Sequence, residues 1–221
     1  NPVLATHRAQ GNRVVYVERD AIICGEGRKK HQIPLANIPL TRNGTIGFQV
    51  ENAMAAIATA WALGIDWEIA EQALAGFFNV FDYKGATLIA DYGHNPDAIE
   101  ALVKGIENMP AVRRSVVISG AGDRRDDDIR QQTEILGDAF DEVILYQDAC
   151  QRGRADGEVI ALLREGLVNA SRTKRIDAID GEFIAIDAAL GRLQPGDLCL
   201  ILIDQVEESL AHIAQRIAET A

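Results

Sequence analysis

A chain of 221 residues, 48% hydrophobic and 25% charged, can bury one large core or two modest ones, which excludes a disordered or low-complexity protein. Its formal charge of −11 argues against a general binder of nucleic acid or anionic membrane and, weakly, suits a cationic substrate. Cys24, Cys150 and Cys199 are widely separated and lack metal-like spacing, so neither a disulfide framework nor a zinc site is expected, and a reduced, cytoplasmic compartment is the default.

No apolar run has the length of a membrane span, and no signal peptide is visible. The chain opens on Asn1 with residues that read as the middle of a domain, so it is expected to be the C-terminal part of something larger. Val14 to Val17, Ala21 to Cys24 and Gln32 to Leu35 predict a small antiparallel meander, with turns at Arg19-Asp20 and Gly25-Glu26-Gly27. Lys29, Lys30 and His31 read as a solvated edge that discourages strand-to-strand association. Gly47 to Asn52 leads into an alanine-rich helix with Met54, Ile57, Ala58 and Trp61 on one face and Gly64 as its stop. Gln49 and Asn52 are polar residues at that helix start, and a second short helix is expected over 67–75.

From Phe78 onward strands and helices alternate, which predicts an α/β, Rossmann-like layer with a mostly parallel sheet. The central stretch is Thr87 to Glu100. An apolar strand there turns at Gly93, and Asn95-Pro96 reads as an N-cap followed by proline in the first helical turn. Asp91, His94 and Asn95 are thereby delivered to a strand's carboxyl end and a helix's amino end, where open α/β sheets hold ligands. After the strand Ser115 to Ser119, Gly120-Ala121-Gly122-Asp123-Arg124-Arg125 offers small residues beside two guanidinium groups suited to an anion. Asp126 to Asp128 are explained by the dipole of the helix they open.

The strand Val143 to Tyr146 ends on a loop containing Asp148, Arg152 and Arg154. Helices through Leu163 and from Phe183 to Leu190 flank a strand near Ile176. The turn Gln194 to Asp197 precedes the apolar strand Leu198 to Ile203, which is followed by Asp204, Glu207 and a last helix. Carboxylates at a helix start are ordinary caps, yet a guanidinium ligand would also require carboxylates in a fork, so Asp204 or Glu207 are candidates for selecting a ligand that carries one.

The segments D-Y-G-H-N-P-D-A, S-G-A-G-D-R-R-D, D-A-C-Q-R-G-R-A-D-G-E and P-G-D-L-C-L-I-L-I-D-Q resemble, in order, motifs of the Mur-type amide ligases, which join an amino acid to a carboxylate at the expense of ATP. More narrowly, they resemble a branch that attaches arginine to aspartate side chains of an aspartate–arginine polymer. The resemblance implies that residues 1–76 end a central ATP-binding domain and that 77–221 form the C-terminal ligase domain. It places Gln49 and Asn52 at the adenine, Asp91 at the ribose and His94 near the phosphates, with Asn95 capping the helix that faces them. Arg124, Asp148, Arg152 and Arg154 are implied at the amino-acid or polymer substrate, and His94 is the implied catalytic residue, as a donor to phosphate or a proton carrier.

ATP and L-arginine are the implied small-molecule partners, and an aspartate–arginine primer is the implied polymer. Mg2+ ligands and the phosphate-binding loop are expected upstream, so this fragment alone should be inactive. Domain closure and a homo-oligomer, dimer or tetramer, are also implied. Three departures stand out. Gln49 replaces the more usual asparagine, and the Asp-Asn-Pro-Arg signature of peptidoglycan ligases is replaced around Asp148 to Arg154. The Pro-Gly-Arg linker is missing between Gly76 and Phe78, through a deletion or through omitted residues; a deletion would remove a nucleotide-binding arginine. Another Mur-type ligase, for folylpolyglutamate or peptidoglycan, and a non-catalytic assembly or polymer-holding module are the alternatives.

Overall fold

The computed structural model describes residues 2–76, 80–148 and 150–220. The chain divides into two compact units, Asn1–Phe78 and Asn79–Ala221. The expected linker junction at 77–79 lies outside the described residues.

In the first unit, helix α1 (Pro2–Ala9) precedes an antiparallel meander of β1 (Arg13–Glu18), β2 (Ala21–Glu26) and β3 (Lys29–Pro34). The second strand runs through Gly25 and Glu26, and the chain reverses at Gly27, whose φ of +55° suits a residue without Cβ. Helices α2 (Gly47–Ala62) and α3 (Trp67–Gly76) complete the unit. Val50, Ala53 and Ile57, at helical spacing on α2, pack with Ile22, Cys24 and Ile33 of the meander into one core. His31 is not simply a solvated edge residue: its ring stacks on Trp67 with centroids 4.3 Å apart, and Nε2 lies 2.6 Å from Glu71 Oε1.

The second unit is an α/β/α sandwich, as the alternating pattern requires. Its strands are β4 (Val80–Tyr83), β5 (Ala86–Asp91), β6 (Arg114–Ile118), β7 (Glu142–Gln147), β8 (Arg175–Asp180) and β9 (Leu198–Leu202). They lie in the order β4-β5-β9-β6-β7-β8, parallel except for β4, which forms a hairpin with β5 through Lys84-Gly85. Helices α4 (Pro96–Ile106), α5 (Asp126–Ala139) and α6 (Glu158–Gly166) follow β5, β6 and β7, while α7 (Glu182–Leu190) and α8 (Val206–Ala218) follow β8 and β9. The path steps outward from β5 to β8 and then returns to place β9 between β5 and β6. With right-handed crossovers, that reversal sends α4–α6 to one face and α7–α8 to the other.

Both faces are therefore covered, and β9 needs no polar side. All five of its residues are buried; Cys199 and Ile201 join Ala185, Ile186 and Ile213 of α7 and α8, and alternation turns Leu198, Leu200 and Leu202 the other way. The start of α4 is fixed as its sequence indicates: Ala98 N donates to Asn95 Oδ1 at 2.9 Å, and Pro96 occupies the first turn. A cap of this kind contributes about 1 kcal/mol. At the other end, the guanidinium of buried Arg114 donates to the carbonyls of Ile106, Glu107 and Met109. Among the described residues no helix is long and apolar enough to cross a membrane.

Candidate functional site

Inserting β9 between β5 and β6 makes neighbouring loops leave for opposite faces, and this opens a crevice at the carboxyl ends of the strands. Four loops meet there, following β5, β9, β7 and β6. Each contributes one member of a continuous polar chain. His94 Nε2 lies 3.4 Å from Asp204 Oδ1, Arg152 Nη2 lies 3.3 Å from the same oxygen, and Arg152 Nη1 lies 3.5 Å from Asp123 Oδ1. The His94 and Asp204 side chains are only 10% and 18% exposed, which strengthens their interaction relative to one in open water.

The orientation of His94 is set locally. Its Nδ1 donates to the Tyr92 carbonyl at 2.7 Å, and the Tyr92 ring lies against the imidazole with centroids 4.3 Å apart. With Nδ1 committed as a donor, Nε2 is the nitrogen that faces the crevice, where it meets the carboxylate as a donor when the ring carries two protons. Gly93 gives the turn its room, since a Cβ there would fall 2.7 Å from Leu102 Cδ1.

Asp91 closes β5, and its carbonyl accepts from Ile203 N at 2.9 Å, which ties the ends of β5 and β9 together. Burial pushes the Asp91 carboxyl above the ordinary range, against the opposing amides of Gly93 and Tyr92 and the His94 ring. Burial also raises Asp204, with the Asp148 carboxylate adding to it and His94 and Arg152 opposing. A folded carboxyl with a raised pKa holds its proton more firmly than the unfolded chain does, so its ionisation subtracts from stability as pH climbs through the folded value. Asp204→Asn is therefore expected to gain in melting temperature relative to the parent as pH is raised from about 4 to about 8. Differential scanning calorimetry at the two pH values checks it; an equal difference at both would refute it.

Arg154 is used within the fold. Its guanidinium donates to the Gly122 carbonyl at 2.7 Å, the Arg124 carbonyl at 2.7 Å, Asp126 at 2.8 Å and Glu158 at 2.7 Å. It straps the loop after β7 to the loop after β6. Gly122 allows their approach, because a Cβ there would fall 2.2 Å from the Gln151 carbonyl oxygen. Arg124 itself is exposed, with its carbonyl taken by that strap. Arg125 is turned outward and held by Asp128, at 3.0 and 2.6 Å.

Of the residues singled out in the sequence, the structure thus brings His94, Asp204 and Arg152 into direct contact, with Asp91 and Asp148 beside them and Asn95 beneath as the cap. Glu207 sits exposed in the first turn of α8 and takes no part in the polar chain. Gln49 and Asn52 belong to the first unit, where Asn52 Nδ2 donates to Gln49 Oε1 at 3.3 Å. They border an apolar groove of about 440 Å³ between α2 and α3, lined by Ala53, Ile57, Ile69 and Ala73 among others. Asp123 and Tyr92 were not singled out. Each stands next to a residue that was, and that adjacency was the signal available.

A protein-family model described as Mur ligase, glutamate ligase domain, matches residues 78–202, more than half of the chain. The chain belongs to the Mur ligase family. It is 31% identical to the cyanophycin synthetase of Geminocystis herdmanii over 96% of this chain and 26% of that protein, and 30% identical to that of Crocosphaera subtropica over 98% and 26%. It thus spans about a quarter of the length of these curated relatives. A UDP-N-acetylmuramoyl-L-alanyl-D-glutamate–2,6-diaminopimelate ligase from Geobacillus kaustophilus is 30% identical over 70% of the chain and 32% of that enzyme. Among solved structures, Escherichia coli FolC in complex with ADP matches with a TM-score of 0.61 at 21% identity, covering 92% of this chain and 47% of that one. This last likeness supports the fold.

Proposed function

We propose that this chain is the amino-acid-adding part of an ATP-dependent ligase that attaches L-arginine to the side-chain carboxylate of aspartate in an aspartate–arginine polymer. The observation that carries the reading is the His94–Asp204–Arg152–Asp123 chain at the mouth of the crevice, in a protein similar to cyanophycin synthetases along nearly its whole length. A carboxylate is a poor electrophile. In the proposed reaction a carboxylate oxygen attacks the γ-phosphorus of ATP, ADP departs, and an acyl phosphate forms. The amine of arginine then attacks the acyl carbon, loses a proton and expels phosphate with the C–O electron pair.

The residues present fit an anionic nucleotide. The Asn95-capped amino end of α4 supplies positive potential to a phosphate, the doubly protonated His94 ring adds to it through Nε2, shared with Asp204, and Asp91 supplies a carboxylate for a ribose hydroxyl. Gln49 and Asn52, amides bordering an apolar groove, have the donors and acceptors an adenine edge requires. Among the described residues no three His, Cys, Asp or Glu side chains are grouped to hold a metal. In this reading the Mg2+ ligands belong to a further part of the protein.

Exposed Arg124 is assigned to the carboxylate of the incoming amino acid, and Asp148 with Asp204 to its guanidinium, the one part of arginine that calls for an anionic fork. Arg152 holds Asp204, and Arg154 holds the loop. The test is phosphate release by the whole protein with ATP and a primer ending in a free aspartate side chain. Arginine, lysine, glutamate and no amino acid are compared. Arginine-dependent release is expected; glutamate-dependent release would move the protein to another Mur-type activity, and no release with any amino acid would leave a non-catalytic module.

A further inference from the structure

The geometry points to Glu182 as the positioning residue that holds Asp204 against His94, an inference that rests on the proposal that this pair lies in the ligase site. Glu182 is 3% exposed and opens α7, remote in sequence from both loops. Its Oε1 accepts from Asp204 N at 2.9 Å and Ser209 Oγ at 2.7 Å, and its Oε2 accepts from Gln205 N at 3.1 Å and Gln205 Nε2 at 3.4 Å. Four donors converge on one acceptor-only group.

Those donors include backbone amides at the entrance to α8. Gln205, the residue at the cap position of that helix, makes no side-chain cap bond of its own. Glu182 therefore caps α8 from another helix and, in doing so, fixes the backbone of Asp204. The direction of the Glu182 side chain depends on Gly181, whose φ of +96° and ψ of 138° turn the chain from β8 into α7 in a conformation open to glycine. Tyr146 braces the same loop from below, its hydroxyl donating to the Leu202 carbonyl at 3.1 Å.

The other half of the pair is held in a matching way. Gln132, 1% exposed on α5, donates from Nε2 to the His94 carbonyl at 3.1 Å. A buried polar side chain from each helical layer thus grips one of the two loops, and neither side chain forms part of the polar chain it aligns.

Glu182→Gln keeps the shape and turns an acceptor into a donor that faces other donors. In the whole protein it is expected to speed amide hydrogen exchange in the peptide spanning 203–209. It is also expected to lower kcat/KM for arginine about 10²-fold with KM for ATP little changed, the size of effect that a small misplacement of a substrate-positioning group produces. Placed in an Asp204→Asn background it is expected to cost nothing further, since its effect runs through Asp204. Unchanged exchange at 203–209 would overturn the proposal, as would losses in the double variant that multiply. If the parent protein turned over no ATP at all, the ligase reading would fall, and the exchange measurement alone would still decide whether Glu182 holds this loop.

Discussion

Replacing His94 by alanine is expected to lower amino-acid-dependent phosphate release by the whole protein about 10²-fold or more, as the loss of one preorganised donor at a developing charge does. The imidazole is held at Nδ1 by the Tyr92 carbonyl and faced at Nε2 by Asp204, so Nε2 is presented in one orientation, and a substitute would pay to find it. Alanine leaves the Asn95 cap and the α4 core untouched. The fall is therefore expected in kcat, with helix α4 retained and a loss of stability limited to the contacts of the ring with Tyr92 and Asp204. Single-turnover kinetics at saturating ATP separate these quantities. Activity within a fewfold of the parent would remove His94 from the reaction and leave it as part of the loop's architecture.

Gly166→Ala is expected to destabilise the second unit by about 3 kcal/mol, at the upper end of what overpacking a core costs. A Cβ at this position would fall 2.2 Å from the Arg130 carbonyl oxygen and 2.3 Å from Thr133 Oγ1, both on α5. Alanine is favoured over glycine in a helix by about 1 kcal/mol, which opposes the clash. The clash wins because its first neighbour is backbone and because Thr133, fully buried, already donates to the Arg130 carbonyl at 3.0 Å. Moving α6 away would open the packing of Leu163 and Leu167, which are 0% and 4% exposed. Urea unfolding that gives a lower midpoint with an unchanged slope would support this; a midpoint equal to or above that of the parent would refute it.

Much of the second unit was legible because its signals are local. Asn95-Pro96 marks a helix start by chemistry that needs no neighbour, and the run Leu198 to Ile203 marks a strand buried on both sides. The strand near Ile176 was harder to bound because β8 lies at the sheet edge with every residue partly or fully exposed, so its apolar signal is diluted. Helix α1 was not anticipated. It has no buried residue, so no apolar stripe records its partner.

The candidate site divides in the same way. His94 and Asp91 could be read from one strand-turn-helix segment, whereas the contact of Asp204 with His94 depends on β9 entering between β5 and β6. Residue type also misled at the loop after β7. Arg152 and Arg154 look equivalent in the sequence, yet one joins the polar chain while the other binds two carbonyls and two carboxylates to hold the loop. Glu207 and Asp204 look equivalent too, and the first turn of α8 points the former into solvent. Glu182 gave no sequence signal at all, because its four donors come from residues at least 22 positions away.

The place of β9 in the sheet also governs when this unit can close. Thr87 pairs with Leu198 and Arg114 with the same residue, so β5 and β6 have no common partner until β9 has been made. Before that, the two loops bearing His94 and Asp123 flank a gap where the backbone N–H and C=O groups of β5 and β6 have nothing to bond. On a ribosome the crevice is consequently among the last features to exist, and a nascent chain halted before residue 198 carries open strand edges that invite association with others. Such long sequence separations slow folding. The architecture that gathers four loops at one point thus makes this unit dependent on the synthesis of β9.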